Sequence, residues 1–171
     1  MMKILAVSDT HGDREILAKL LERHPNLDGY FYAGDSELPA SDVLFTTYHA
    51  VAGNMDFDSG FPLTVTEVVA GETVFMTHGH RYNVNFGLDN LIEAGQQVEA
   101  NIILFGHTHQ LGVEMHAGML VLNPGSISQP RGEFAHLGGT YAMIEATPQM
   151  FSVQYFTRDG KNAGLDRQFD R

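Results

Sequence analysis

Two histidines separated by one residue, His107 and His109, follow a short apolar run and a glycine in the second half of the chain. Four consecutive apolar residues, 102–105, are typical of a buried strand, and Gly106 ends the run. Imidazole nitrogens bind divalent transition metals, so two histidines that reach one cleft could each bind a different ion. An isolated pair of this kind is more often a solvated strand-to-loop junction. The rest of the chain must therefore decide between the two interpretations.

Other potential metal ligands follow four further apolar runs along the chain. They are Asp9 with His11, then Asp35, then Asn54, then His78. In open α/β sheets, ligands bind beyond the carboxyl ends of the strands, so such residues can be brought to one edge. One strand that ends in a polar residue carries no information. Five that do so, all with oxygen or nitrogen ligands, are hard to explain by core packing and predict a functional site.

The elements that position these residues can be read from apolar periodicity. A strand over 3–8, a helix capped by Asp13 and a strand over 28–33 form a predicted right-handed βαβ unit with parallel strands. Residues 36–47 are ambiguous, with a short helix over 41–45 as one interpretation. The remaining predictions are strands over 48–51, 63–69 and 73–77, a helix over 85–100, a hairpin over 112–122, and paired strands over 140–146 and 151–156.

Length and composition restrict the class of protein. The 171 residues predict one domain over 1–171, with a loosely ordered tail over 158–171. No apolar run approaches the roughly 20 residues of a membrane span, and the N-terminal run is too short for a signal peptide. The absence of cysteine favours a cytoplasmic protein and excludes thiolate metal sites. A net charge of −11 with only ten Lys and Arg argues against binding of long nucleic acid.

The ligand motifs, taken in order, resemble the signature of the calcineurin-like metallophosphoesterase superfamily: Asp9-x-His11, Gly34-Asp35, Gly53-Asn54-x-Asp56, His78 and Gly106-His107-x-His109. The length and the segments 123–126 and 130–131 resemble its small single-domain bacterial and archaeal phosphodiesterases (YfcE-type), to which the eukaryotic retromer sorting subunit is similar. The resemblance covers residues 3–131. It implies an α/β (α+β) fold, a four-layer α-β-β-α sandwich of two mixed sheets packed face to face.

The same resemblance implies two divalent metal ions, with Mn²⁺ as first choice and Ni²⁺, Fe or Zn²⁺ as alternatives. The ligands it implies for the first ion are Asp9, His11, Asp35 and His109, and those for the second are Asp35, Asn54, His78 and His107. A carboxylate has the two usable oxygens that a shared ligand needs. The implied reaction is hydrolysis of a small phosphodiester, with a nucleotide as one candidate, by attack of a metal-bridging hydroxide.

The sequence departs from the family pattern at one catalytic position. Many members carry a histidine directly after the metal-binding asparagine, whereas this chain has Met55, which cannot donate a proton. His80 is the nearest substitute, although a solvated loop histidine is nearly as plausible there. Asn54, His78 and His80 are therefore the predicted catalytic residues, and Asp56 is expected to brace its loop.

Two other functions compete with a phosphodiesterase. A retromer-like scaffold that lost catalysis would have no physical need for seven intact ligand positions, which disfavours it. A phosphomonoesterase or nucleotide hydrolase stays open, because two metals and a hydroxide serve either kind of ester. Self-association also stays open.

Overall fold

The computed structural model describes all residues, Met1 to Arg171. Its strands are β1 (Met2–Val7), β2 (Gly29–Tyr32), β3 (Tyr48–Ala50), β4 (Thr64–Val69), β5 (Glu72–Thr77), β6 (Ile102–Leu104), β7 (Gly112–His116), β8 (Met119–Asn123), β9 (Thr140–Ala146), β10 (Met150–Thr157) and β11 (Arg167–Asp170). The α-helices are α1 (Arg14–Arg23) and α2 (Asp89–Gln97), and short 3₁₀ helices cover Val43–Thr46 and Ala135–Leu137. None of the helices is long and apolar enough to cross a membrane.

The strands form two mixed sheets. The order in the six-stranded sheet is β11-β10-β9-β1-β2-β3, and the order in the five-stranded sheet is β4-β5-β6-β8-β7. Strands β1, β2 and β3 are parallel to one another in the first sheet, as are β5, β6 and β8 in the second. The carboxyl ends of each parallel set therefore lie together at one edge of its sheet.

Apolar side chains pack in three layers, as the alternation along β1 illustrates. Ile4 points into the core between the two sheets, whereas Leu5 points outward and packs beneath α1 with Leu17. On the far side, Leu91 of α2 packs against Ile103 of the second sheet. This arrangement of helix, sheet, sheet and helix confirms the predicted four-layer sandwich.

One of the two helices begins as the sequence predicts, and the other is shorter than predicted. Asp13 caps α1 as predicted, because its carboxylate accepts the backbone N–H of Ile16 at 3.2 Å. Helix α2 is shorter than the predicted 85–100, because Gly87 has φ +148° and the preceding residues form turns. Gly95 weakens the helical pattern for a packing reason: a Cβ there would lie 2.3 Å from the Ile103 side chain.

The end of the chain differs from the loose tail expected over 158–171, because β11 pairs with β10 there. The last residue, Arg171, donates to both carboxylate oxygens of Glu72 at 2.6 and 2.7 Å and lies over the ring of Phe151. Glu72 begins β5 of the second sheet, so this pair fastens the chain end across the two sheets. The ambiguous 36–47 segment contains a single 3₁₀ turn.

Candidate metal centre

The seven predicted ligand residues all lie in the loops that directly follow five strands, β1, β2, β3, β5 and β6. Backbone hydrogen bonds join these loops to one another. Asp9 N–H donates to Gly34 O at 3.0 Å, and Gly106 N–H donates to His78 O at 3.0 Å. The carboxyl edges of both sheets therefore contribute to one site.

Five of these seven residues have a left-handed backbone conformation. The φ angles are +58° at Asp9, +47° at His11, +61° at Asp35, +68° at His107 and +59° at His109. Positive φ is uncommon outside glycine, and Asp, Asn and His adopt it more readily than other residues. A left-handed residue turns the chain sharply where a strand ends, and such backbone conformations cluster at functional sites.

One group of potential ligands is formed by Asp9, His11 and His109, whose ligand atoms all lie within 4.8 Å of one another. The Oδ1 atom of Asp9 lies 3.2 Å from His109 Nε2 and 3.9 Å from His11 Nε2. The two imidazole Nε2 atoms are 3.2 Å apart. Three electron-pair donors thus point at one small volume.

A second group is formed by Asp9, Asp35 and His78. His78 Nε2 lies 3.3 Å from Asp35 Oδ2, 3.9 Å from Asp9 Oδ1 and 3.1 Å from Asn54 Oδ1. Asn54 Oδ1 is also 2.9 Å from His107 Nδ1. The two groups share Asp9, whereas the family resemblance assigns the shared position to Asp35.

The tautomers of three histidines are fixed by the atoms that face Nδ1. These atoms are Glu37 Oε1 for His11 at 2.8 Å, Ala33 O for His78 at 2.6 Å and Gln129 O for His109 at 2.7 Å. Because each of these partners is an acceptor, the imidazole proton resides on Nδ1, and the Nε2 lone pair faces the site. This is the arrangement that metal-binding histidines use in proteins.

The Oδ1 atom of Asp9 provides a test of whether a cation fits this site. Asp9 is fully buried; its Oδ2 accepts Ser8 Oγ–H at 2.5 Å and His107 N–H at 3.2 Å, yet Oδ1 has no hydrogen-bond donor. The neighbouring Nε2 atoms present lone pairs rather than protons. A buried carboxylate oxygen without a donor is costly, and a metal cation satisfies it. The donor set therefore fits divalent ions.

The pKa values of the buried groups reflect the same demand for positive charge. The carboxylate of Asp9, close to His109 Nε2, raises the pKa of His109. Burial lowers the pKa of His78, but Asp35 and Asp9 outweigh it and raise that pKa overall. Burial raises the pKa of the Asp35 carboxyl, but His78 and the Met55 N–H outweigh it and hold that pKa below its ordinary value.

Two glycines allow the loops to approach the carboxylates. A Cβ at Gly53 would lie 2.0 Å from Asp35 Oδ1, and one at Gly106 would lie 2.2 Å from Ser8 Oγ and 2.7 Å from Asp9 Oδ2. Neither contact is compatible with a side chain. These glycines are therefore part of the site geometry rather than simple strand ends.

Asp56 braces its loop, as expected from the sequence. Its Oδ2 accepts the backbone N–H groups of Asp35 at 2.7 Å and Gly53 at 2.8 Å. Its Oδ1 accepts Glu37 N–H at 2.8 Å. Asp56 thereby ties the loop after β2 to the loop after β3 and holds Asp35 in its left-handed conformation.

The site opens into a cleft of about 370 Å³. The residues that line it are His11, Asp35, Glu37, Asn54, Met55, His107, His109, Gln129 and Arg131. His80 is not among them: its ring centroid lies 5.4 Å from that of His78 and 6.1 Å from that of His107. Sequence reasoning did not select Glu37, Gln129 or Arg131. For Glu37 the available signal was its position two residues after Asp35, and for Arg131 it was the family resemblance of segment 130–131.

The family is decided by a match over most of the chain. Residues 2–148 match the model of the calcineurin-like phosphoesterase superfamily domain. The chain belongs to this superfamily. It is a metal-dependent phosphoesterase, which agrees with the convergent ligand groups described above.

Relatives and solved structures agree with this assignment. The chain is 31% identical over 160 residues to the probable metallophosphoesterase YsnB of Bacillus subtilis, with 93% of each protein covered. It is 28% identical over 161 residues to the phosphodiesterase YfcE of Escherichia coli K12, covering 77% of this phosphoesterase and 83% of YfcE. A structure from Streptococcus pneumoniae TIGR4, described as a predicted phosphoesterase, superposes with a TM-score of 0.95 at 37% identity, with 99% and 98% of the two chains covered.

Proposed function

We propose that this phosphoesterase is a phosphodiesterase that uses two divalent metal ions. Asp9, His11, Asp35 and His109 would bind one ion, and Asp35, Asn54, His78 and His107 would bind the other. The observation that carries the proposal is the buried Asp9 Oδ1, which has no donor and faces three imidazole Nε2 atoms. A cation at the Asp9 carboxylate would satisfy this oxygen, and the second ligand group beside it supports a second ion.

Asp35 is proposed as the shared ligand because the family resemblance gives it that role, and its carboxylate belongs to the second group beside Asp9. Its Oδ2 is 3.3 Å from His78 Nε2, and its pKa is lowered by His78 and also by His11, which belongs to the other group. Its Oδ1 accepts Met55 N–H at 2.8 Å, so the carboxylate plane is fixed. Asn54 contributes a neutral amide oxygen between His78 and His107 and adds no negative charge.

Bound ions would supply Lewis-acid stabilisation of the phosphoryl oxygens and would lower the pKa of water to generate the nucleophile. The leaving oxygen can depart as an anion, or it can take a proton from water or from a side chain of the protein. Met55 lines the cleft, and a thioether has no proton to give. We propose His80 as the proton source. Burial, and then the charges of His78 and His107, lower its pKa, so His80 carries the proton in a larger fraction of molecules as the pH falls.

The decisive test is metal content combined with hydrolysis. The unmodified protein loaded with Mn²⁺, Ni²⁺ or Zn²⁺ should bind two equivalents and hydrolyse bis(nitrophenyl) phosphate. The Asp35→Ala variant should lose both ions and nearly all activity. The control is Asp170→Ala, which removes an exposed carboxylate from the edge strand β11. A folded protein that binds at most one ion would contradict the proposal, as would an Asp35→Ala variant that retains one ion tightly.

The diester preference is tested separately with nitrophenyl monoester and diester substrates on the metal-loaded protein. A higher kcat/KM for the diester is expected from the similarity to YfcE. A clear preference for the monoester would instead support the phosphomonoesterase alternative and would leave the two-metal proposal intact.

A further inference from the structure

The cleft above the candidate metal centre has one side chain with a permanent positive charge. Arg131 is the only one of the ten Lys and Arg residues that lines this cleft, where Asp35 and Glu37 contribute carboxylates. The other lining residues are histidines, amides and Met55. In a protein with a net charge of −11, a single cation in the substrate cleft requires an explanation.

The guanidinium of Arg131 is free of protein partners. Five of the seven arginines donate to a carboxylate or carbonyl oxygen: Arg14, Arg23, Arg158, Arg167 and Arg171. Arg131 and Arg81 make no such contact, and both are exposed. Of these two, only Arg131 lines the cleft. A structural role in ion pairing therefore does not account for it.

The backbone of Arg131 is nevertheless anchored to the metal centre. Its N–H donates to the carbonyl of His109 at 2.9 Å, and His109 Nδ1 faces the carbonyl of Gln129 at 2.7 Å. Gln129 N–H donates to Ser126 Oγ, which in turn donates to Asp9 O, both at 2.8 Å. The loop from 126 to 131 is thus hydrogen-bonded to two candidate ligands, Asp9 and His109. The backbone of Arg131 is therefore held in place while its side chain lines the cleft.

We propose that Arg131 binds the non-bridging oxygens of the phosphate that is hydrolysed. This inference rests on the proposed phosphodiesterase function and adds a substrate-binding residue to it. A guanidinium presents parallel N–H donors that match two phosphate oxygens, and it stays charged at every relevant pH. Its positive charge also offsets the local carboxylates, which would otherwise repel a phosphodiester anion before it reaches the metal centre.

The test compares Arg131→Gln with Arg81→Gln on the metal-loaded full-length protein. Both variants lower the net charge by one and remove an exposed guanidinium without a partner, but only the first change lies in the cleft. Affinity for inorganic phosphate is measured by titration calorimetry, kcat/KM is measured with diesters, and metal content is measured by elemental analysis. Arg131→Gln should lose roughly tenfold or more in both phosphate affinity and kcat/KM. Arg131→Lys should lose less, because it keeps the charge.

The expected loss is the same for diesters with one phosphate and for diesters that carry a further phosphate, and metal content is unchanged. The inference is overturned if Arg131→Gln matches Arg81→Gln, if only substrates with a further phosphate are affected, or if the metal content falls. If the unmodified protein hydrolyses no ester, the proposed function fails, whereas the phosphate titration still decides the role of Arg131.

Discussion

Glu37 allows the metal centre to be tested without changing any proposed ligand. It is the only carboxylate that faces the Nδ1 atom of a histidine in the centre, at 2.8 Å from His11, whereas His78 and His109 face backbone carbonyls. Loss of such a supporting group typically lowers metal affinity 10- to 100-fold. The Glu37 side chain is 38% exposed, so solvent screening places the expected loss near the lower limit. For Glu37→Ala we expect about tenfold, or about 1.4 kcal/mol.

The assay is a competition titration of Mn²⁺ against a chelator, which resolves the two binding constants. Only the site that contains His11 should weaken, because the tautomer of His78 is fixed by the main chain. Glu37→Gln should lose less, since an amide oxygen can still accept the Nδ1 proton. The matched control is Glu67→Ala, which removes a carboxylate 3.6 Å from His49 Nδ1 in another part of the protein.

Two results would refute this reasoning. Unchanged binding constants in Glu37→Ala would show that His11 needs no carboxylate to hold its orientation. Equal weakening of both sites would show that Glu37 acts through the general charge of the cleft rather than through His11.

Three further predictions follow from the packing and charges. Gly53→Ala should reduce activity at least 100-fold, because its Cβ would displace Asp35 by more than 1 Å. The control Gly112→Ala has open space around its Cβ and should leave the kinetic constants unchanged. Met55→His should raise kcat/KM for alkyl diesters more than for nitrophenyl diesters; an equal effect in a graded leaving-group series would contradict it. Burial lowers the pKa of His24, so the unfolded chain binds a proton there more strongly, and stability falls as pH drops below about 6.5. His24→Gln should flatten that loss in denaturant titrations between pH 7 and 5, and an unchanged slope would count against it.

The positions of the proposed ligands could be predicted because they depend on short-range patterns. Asp35 and His107 each follow an apolar run and a glycine, and this pattern marks a strand end in one sequence alone. Parallel pairing then brings strand ends together, and the two-sheet topology follows from the family resemblance. The fold and the set of residues that converge were therefore accessible from the sequence.

The contacts and distances between these residues could not be predicted from the sequence, because they depend on distant parts of the chain. Asp9 belongs to both groups only because the loops after β5 and β6 fold over it. Those loops lie about 70 to 100 residues further along the chain. Arg131 enters the cleft because its loop is fastened to His109, and a Pro-Arg pair carries no local signal of that contact. The short α2 was equally hidden, since the left-handed glycine that precedes it resembles any other glycine in the sequence.

The left-handed conformation of five proposed ligands creates a trade-off between catalytic activity and the stability of the folded protein. Each such residue other than glycine costs the native state on the order of 1 kcal/mol, and the cost is recovered only when the side chain is used. Replacement of His11 or His109 by glycine would relieve the backbone while it removes a metal ligand. We therefore expect that selection for thermal stability alone, in the absence of metal, will enrich glycine at these positions. The selected proteins should be more stable but catalytically inactive.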